Sequence, residues 1–162
     1  MRKSSQRPEV APKFTPLNRL IESAISTIGN RNSDKDVWLR LDLASQSPNV
    51  RTNDFYRVFS SLLLNSLAAI TREGGNIAIE TQFDNQNLHI IFEDDGCGTP
   101  KHMRSRMFNA LVTAKERRKK TRAGLAIVKK IVEKYAGEIE VKTDRNAGTR
   151  MRLTFPVAGL NS

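Results

Sequence analysis

The spacing of apolar residues alternates along the chain between a helical period and a strand period, and the order of these segments is the feature that most constrains its fold. Three segments space their apolar residues as an amphipathic helix does, and five alternate apolar with polar residues like strands that are buried on one face. The helical segments are 17–28, 55–70 and 124–136, and the strand segments are 37–43, 77–83, 88–92, 139–143 and 149–155. Strands in adjacent pairs between helices predict an α+β sandwich, with the helices on one face of a mixed sheet.

Local signals place the ends of these elements. Thr15 and Pro16 suit the N-cap and the first position of the first helix, which is predicted to end near Gly29. Polar turns at 84–87 and 144–148 each join two strands, which predicts two hairpins.

Length and composition indicate one soluble domain. A chain of 162 residues can bury a substantial core, and no apolar stretch reaches the roughly 20 residues of a membrane-spanning helix. A single cysteine excludes an internal disulfide framework and fits a reducing compartment. We expect residues 1–14 to be a disordered tail or linker, 15–158 to be the domain and 159–162 to be a second tail.

Positive charge is concentrated in one segment. The net charge is +10, and nine basic residues lie between Lys101 and Arg122 with Glu116 as the one acid. Such a run is usually a solvated surface, but it also attracts phosphate groups. The stretch 96–123 is too long for a passive connector, and without interleaved aromatic residues it favours a nucleotide over a nucleic acid.

Two polar residues stand where the pattern is otherwise apolar. Asn65 lies on the apolar face of the second helix, where it either bonds a backbone neighbour or offers an amide oxygen to Mg²⁺. Asp94 ends a strand directly before Gly96 and Gly98, as in an ordinary turn or in a loop that lets a flat ligand approach the backbone. Together they predict a nucleotide site. Neither histidine has a partner at a zinc-ligand spacing.

Five motifs follow one another between residues 17 and 157. They are Ser61 to Ile70 around Asn65, Asp94-x-Gly96-x-Gly98, Met107-Phe108 with Thr113-Ala114-Lys115, Gly124 to Gly137, and Gly148-Thr149 ending in Phe155-Pro156. In this order they resemble the N box, first glycine box, phenylalanine box with a nitrogen-regulator-type lid, second glycine box and terminal strand of sensor histidine kinases. The chain is identified as a catalytic, ATP-binding domain of the GHKL superfamily with the two-layer Bergerat fold, whose sheet is mostly antiparallel.

The resemblance implies a role for each matching residue, with ATP and Mg²⁺ as cofactors. Asn65 would bind the Mg²⁺ ion, Asp94 would accept a hydrogen bond from the adenine amino group, and Thr149 would support Asp94, through water. Gly96 and Gly98 would pack near the base, and Lys115 would lie on a lid over the phosphates. Gly124 and Leu125 would offer the N–H groups of a helix N-terminus to phosphate.

Two departures from the family pattern narrow these expectations. The second glycine box, G-x-G-x-G-L in the family, reads Lys120-Thr121-Arg122-Ala123-Gly124-Leu125 here and keeps only its last glycine. Side chains at Lys120 and Arg122 would hinder a close backbone wrap around phosphate, although their charge could partly substitute. Hydrolysing relatives carry a glutamate four residues before the metal asparagine, and Ser61 at that position cannot act as a general base at neutral pH.

The resemblance implies the catalytic domain of a cytoplasmic sensor kinase, or the cytoplasmic part of a membrane-anchored one. MgATP would be positioned for phosphoryl transfer to a histidine on a separate dimerisation domain, with a response regulator as the next partner. His89 in a strand and His102 after Pro100 do not have the setting of a phosphoacceptor, and we assign no catalytic residue to this chain. The alternatives are a degenerate GHKL module with a regulatory or protein-binding role and, less well supported, a serine kinase of the anti-sigma type. We expect a monomer in isolation and no nucleic-acid partner.

Overall fold

The computed structural model describes residues 13–31, 36–70, 74–100, 102–103 and 121–160. The helices of this part of the chain are α1 (Leu17–Arg31), α2 (Thr52–Ala69) and α3 (Thr121–Lys134). Its strands are β1 (Phe14–Pro16), β2 (Val37–Asp42), β3 (Asn49–Arg51), β4 (Gly75–Phe83), β5 (Asn87–Asp94), β6 (Glu138–Thr143) and β7 (Thr149–Pro156). A 3₁₀ turn, Val157–Gly159, follows β7.

The main sheet has five strands in the order β2-β4-β5-β7-β6. Only the β2–β4 pair is parallel, and the other three pairs are antiparallel. Alternate residues of β4 and β7 are buried, as expected for a sheet that is covered by helices on one face, and β5 follows the same pattern except that Ile91 is buried as well. The predicted α+β architecture with a mixed, mostly antiparallel sheet is therefore confirmed.

The core lies between the inner face of this sheet and α2. Phe55 and Phe59 of α2 and Phe155 of β7 are at most 1% exposed, and the Phe55 and Phe155 rings lie 5.0 Å apart. Each buried aromatic or large aliphatic side chain of this kind contributes about 1.5–3 kcal/mol of transfer free energy. Because α2 also packs against α1 and α3, its position relative to the sheet is firmly set.

A small two-stranded sheet, β1–β3, was not predicted, and it corrects the start of the first helix. Thr15 and Pro16 belong to β1, which pairs antiparallel with β3, so α1 begins at Leu17. The Thr15 hydroxyl bonds that of Thr52 at 2.6 Å instead of capping the helix. Three-residue strands carry no readable period, and their pairing joins segments that are far apart in sequence.

The prediction for β2 was right in extent and wrong in burial. Leu39 and Leu41, which were expected on a buried face, remain 36% and 41% exposed. Among the described residues β2 pairs with β4 alone and lies at the edge of the sheet, so its side chains are covered from one side only.

The ends of α3 also differ from the prediction. The helix begins at Thr121, three residues before Gly124, and its last turn is closed by Ala136 in the left-handed conformation (φ +56°). The Ala136 and Gly137 N–H groups donate to the Glu133 and Val132 carbonyls, as in a Schellman motif.

Leu160, which was expected in a C-terminal tail, is buried in the core. No helix in the described part of the chain combines the length and the apolar character of a membrane span.

A polar cluster joins the start of α2 to the end of α3. The Asp54 carboxylate accepts hydrogen bonds from the Tyr135 hydroxyl at 2.6 Å and from Lys134 Nζ at 2.8 Å. Burial alone would raise the pKa of Asp54, but these two hydrogen bonds, with the charges of Lys134 and Arg51, outweigh it and hold that pKa below its ordinary value. The cluster stabilises the packing of α2 against α3.

We predict that Tyr135→Phe lowers the free energy of unfolding by about 1–2 kcal/mol at neutral pH, because it removes a hydrogen bond to a charged, partly buried acceptor.

A second prediction concerns pH. Because the pKa of Asp54 is lowered in the folded state, the stabilising contribution of Asp54 is present above its ordinary pKa and is lost as the pH falls through the lowered pKa. The stability difference between wild type and Asp54→Asn, measured by urea denaturation, should therefore shrink in acid. Glu93→Gln is the control, because it breaks an exposed 3.4 Å pair with Arg150 and should change stability by less than about 0.5 kcal/mol. An equal effect of all three substitutions would contradict this assignment.

Candidate functional site

The candidate site lies where α2, the end of β5 and the start of β7 meet. Asp94 is the last residue of β5 and pairs with Thr149, the first residue of β7. Ser66 of α2 contacts Asp94 from the helical layer. Asp94 is only 6% exposed, so an ionisable group lies within the edge of the core.

The Asp94 carboxylate is held on both oxygens. The Ser66 hydroxyl donates to Oδ2 at 3.0 Å, and the Gly96 N–H donates to Oδ1 at 2.9 Å. Burial raises the pKa of Asp94 above its ordinary value, and the nearby Asp95 charge adds to the rise, while the hydrogen bonds from Gly96, Ser66 and the Thr149 backbone partly oppose it. The carboxylate is incompletely solvated by the protein, so a further N–H donor from a ligand would be favourable.

Gly96 and Gly98 are explained by packing within the chain. A Cβ at Gly96 would lie 2.7 Å from the backbone of Ala69 at the end of α2. Gly98 has a φ of +68°, and a Cβ there would overlap the Asp144 carbonyl oxygen. The Cys97 N–H donates to the Ala69 carbonyl at 2.9 Å, which fixes the loop after Asp94 against α2. From the sequence these glycines were expected either in an ordinary turn or in a loop that a flat ligand approaches, and their contacts with Ala69 and Asp144 were not predicted.

Thr149 is hydrogen-bonded to Thr143, a residue that was not predicted from the sequence. Its hydroxyl lies 2.9 Å from that of Thr143 in β6, which in turn donates to the Gly148 carbonyl at 3.0 Å and accepts the Thr99 N–H at 2.9 Å. Thr143 therefore links the β6–β7 turn to the loop after Asp94. A threonine at an inward position of an alternating strand was the one signal that could have identified it.

Asn65 precedes Ser66 on α2 and is half-buried. Its side-chain amide has no hydrogen-bond partner among the described residues. The same part of the chain contains no group of three or more His, Cys, Asp or Glu residues that could hold a metal. A hard cation bound by Asn65 would therefore need phosphate and water oxygens for the rest of its shell.

The assignment of Gly124 and Leu125 to a helix N-terminus is corrected by the start of α3 at Thr121. Only the first few N–H groups of a helix lack an intrahelical acceptor, so those of Gly124 and Leu125 fall within the hydrogen-bonded part. A Cβ at Gly124 would lie 3.2 Å from Ser61 Oγ, which makes Gly124 a close-packing residue between α3 and α2. Leu125 is 2% exposed and belongs to the core. Lys115 lies outside the described residues.

His89 is on the other face of the sheet from Asp94, because the two positions have opposite parity along β5. Its Nδ1 lies 3.0 Å from Thr154 Oγ1 and 3.4 Å from an Arg152 guanidinium nitrogen. His102 is exposed. The structure therefore brings Asp94, Gly96 and Thr149 together at one end of the α2–β5–β7 junction, with Asn65 next to Ser66 on α2, and leaves His89 on the other face of the sheet.

Known proteins resemble this chain over most of its length. The family model described as "Histidine kinase-, DNA gyrase B-, and HSP90-like ATPase" matches residues 51–159. Sporulation kinase E of Bacillus subtilis is 28% identical over 144 residues, which are 87% of this chain and 19% of the relative. The virulence sensor histidine kinase PhoQ of Salmonella typhimurium is 30% identical over 141 residues, 86% of this chain and 28% of the relative. The chain thus spans less than a third of the length of either protein.

Solved structures show the same fold. The catalytic domain of the histidine kinase ThkA superposes with a TM-score of 0.76 at 19% identity, over 91% of this chain and 98% of that one. The mycobacterial sensor histidine kinase MprB gives a TM-score of 0.72 at 20% identity, over 90% and 97%. With the family model matching more than half of its residues, the chain belongs to the family of histidine kinase-, DNA gyrase B- and HSP90-like ATPases.

Proposed function

We propose that this chain is the ATP-binding catalytic domain of a two-component sensor histidine kinase. It would hold MgATP so that the γ-phosphate reaches a histidine on a separate dimerisation domain, from which a response regulator would receive it. The observation that carries the proposal is the buried Asp94 carboxylate, which is held by Ser66 and Gly96 and still has the capacity to accept a donor.

At the base end, Asp94 would accept a hydrogen bond from the adenine amino group. A charge-assisted bond to a desolvated carboxylate is about twice as strong as a neutral one. A purine with a carbonyl oxygen in place of the amino group would instead face the carboxylate with a second acceptor. Gly96 and Gly98 would line the base through the loop that they shape, and Thr149 would support Asp94 through its backbone N–H.

At the metal end, Asn65 would bind Mg²⁺ through its amide oxygen. The fit rests on an unpartnered, half-buried amide one residue from Ser66, which contacts Asp94. Bound Mg²⁺ supplies neutralisation of charge on the β- and γ-phosphates. The chain's own contribution is to orient that amide on a rigid helix.

At the phosphate end, we infer that Lys115 and the basic segment 101–122 attract the triphosphate by charge. The first-turn N–H groups of α3, from Thr121 to Ala123, replace those of Gly124 and Leu125 as the phosphate donors in this proposal.

Phosphoryl transfer would depend on positioning and electrostatics, since the phosphoacceptor histidine would lie on a separate domain. Ser61 packs against Gly124, so the position used for water activation in hydrolysing relatives is filled by a short, non-basic side chain. This arrangement favours transfer to a partner domain over hydrolysis.

Calorimetric titration of MgATP into wild type and Asp94→Asn tests the base site. We expect wild type to bind at millimolar nucleotide or below, and Asp94→Asn to bind at least about tenfold more weakly.

Because the pKa of Asp94 is raised in the folded state, its ionisation costs stability as the pH rises through that pKa. Asp94→Asn should therefore unfold at the same or a higher temperature than wild type at neutral pH.

Glu93→Gln is the matched control for that titration, since Glu93 is exposed on the other face of β5 and should leave the affinity unchanged. Wild type that does not bind would sink the proposed function and favour a degenerate, non-catalytic module. Equal affinity in wild type and Asp94→Asn would exclude Asp94 as the base acceptor.

We also predict that the chain alone does not phosphorylate itself. After incubation with MgATP labelled in the γ-phosphate, neither wild type nor His89→Ala should carry acid-labile label, because His89 is bonded to Thr154 on the outer face of the sheet. Label should appear only when a dimerisation domain with a phosphoacceptor histidine is added. Label on wild type that is lost in His89→Ala would contradict this prediction.

A third measurement concerns the altered second glycine box. Lys120→Gly combined with Arg122→Gly should raise the affinity for MgATP if side chains at these positions obstruct the backbone around phosphate. The paired substitutions Lys120→Ala and Arg122→Ala remove the same charges without restoring glycine and serve as the control. A weaker affinity in the glycine variant would show that the two cations contribute more than the obstruction costs.

A further inference from the structure

Ser66 places a hydroxyl on the buried face of α2. The residue is 4% exposed, and its neighbours Leu62, Leu63 and Leu67 are buried with it. A serine within a helix commonly donates to the carbonyl one turn back. Ser66 Oγ instead donates to Asp94 Oδ2 at 3.0 Å, across a sequence separation of 28 residues. The hydroxyl therefore binds the side chain of Asp94, the last residue of β5, and not the backbone of its own helix.

The two oxygens of Asp94 have donors from different elements. Oδ1 accepts the Gly96 N–H at 2.9 Å from the loop, and Oδ2 accepts the Ser66 hydroxyl from the helix. The carboxylate cannot rotate about its last bond without losing one of them. An ionised carboxylate has about four lone-pair positions, and the Thr149 N–H is a third donor to Asp94, so about one position remains for a ligand. Ser66 thus sets the direction in which that position points.

We propose that Ser66 is a positioning residue for the nucleobase. Its hydroxyl orients the Asp94 carboxylate toward the exocyclic amino group of adenine and thereby sets the preference for a purine that carries this group. The inference rests on the proposed function, in which Asp94 is the acceptor of that amino group. Ser66 acts through Asp94 and does not itself need to contact the nucleotide.

A purely structural role for Ser66 makes a different prediction. If the hydroxyl served only to satisfy a buried carboxylate and to hold α2 against β5, its loss would weaken the binding of all nucleotides alike. A positioning role weakens only ligands that use the amino group. The other groups that face Asp94, namely the Gly96 N–H, the Thr149 N–H and the Asp95 charge, are the same for every ligand.

The test compares the magnesium complexes of ATP and of purine riboside 5′-triphosphate, which has a hydrogen in place of the amino group. By calorimetry, Ser66→Ala should lower the affinity for ATP about three- to tenfold and change the affinity for the analogue by less than about twofold. Ser66→Thr keeps the hydroxyl and should restore most of the preference for ATP.

Thr81→Val is the matched control. Thr81 is also 4% exposed, and its hydroxyl accepts the Ala44 N–H at 2.9 Å. It lies four residues along β4 from Ile77, the partner of Asp94. The substitution should lower the melting temperature without changing the ratio of the two affinities.

Equal losses for both nucleotides in Ser66→Ala, or no loss for ATP, would overturn the proposal. If wild type binds ATP and the analogue with equal affinity, Asp94 does not bind the amino group of adenine. If wild type binds neither nucleotide, the proposed function itself is rejected. If Ser66→Ala does not fold, Ser66→Cys carries the same test, because a thiol of similar size donates weakly. A selective loss for ATP then supports the proposal, and equal losses overturn it.

Discussion

Packing of α2 against the sheet and against the other two helices is the constraint on which the rest of the structure depends. Phe55, Phe59 and Leu62 fill the space above β5 and β7, and each is at most 2% exposed. Because packing at interior density leaves no room for rotation, the polar residues at the C-terminal end of the helix keep one orientation. Asn65 and Ser66 occupy their places in the site because the residues one and two turns before them are locked in the core.

The same burial that orients the site also costs free energy of folding, because it desolvates the Asp94 carboxylate. Asp94 is a carboxylate at the edge of an apolar core, and its raised pKa shows that the protein's own hydrogen bonds do not fully replace water. A structure optimised for stability alone would not place an aspartate there. At the opposite end of α2, Asp54 behaves differently. Its hydrogen bonds with Tyr135 and Lys134 outweigh the effect of burial and hold its pKa below the ordinary value. The Asp54 carboxylate stabilises the packing of helices, and we propose that the Asp94 carboxylate accepts a donor from a ligand.

Periodicity predicted the main elements because a helix or strand that buries one face must repeat its apolar residues at the matching interval. The five strands of the main sheet and the three helices follow from it. Pairing between distant segments leaves no such trace, and β1–β3 was missed for that reason. Burial of β2 was overestimated because alternation does not reveal that a strand lies at a sheet edge, where Leu39 and Leu41 remain exposed. The start of α3 was placed at a glycine that the structure uses for packing against Ser61.

The sequence by itself determined the chemistry that is available at the site: a carboxylate at a strand end, an amide on an apolar helix face and glycines after the carboxylate. Their residue types and order were enough to indicate a nucleotide site. Only the tertiary structure decided how these groups are held, because Ser66 bonds Asp94 across 28 residues and Thr143 accepts the Thr99 N–H across 44. It also decided that Gly96, Gly98 and Gly124 make room for the protein's own atoms, since the space around a glycine depends on segments that are remote in sequence.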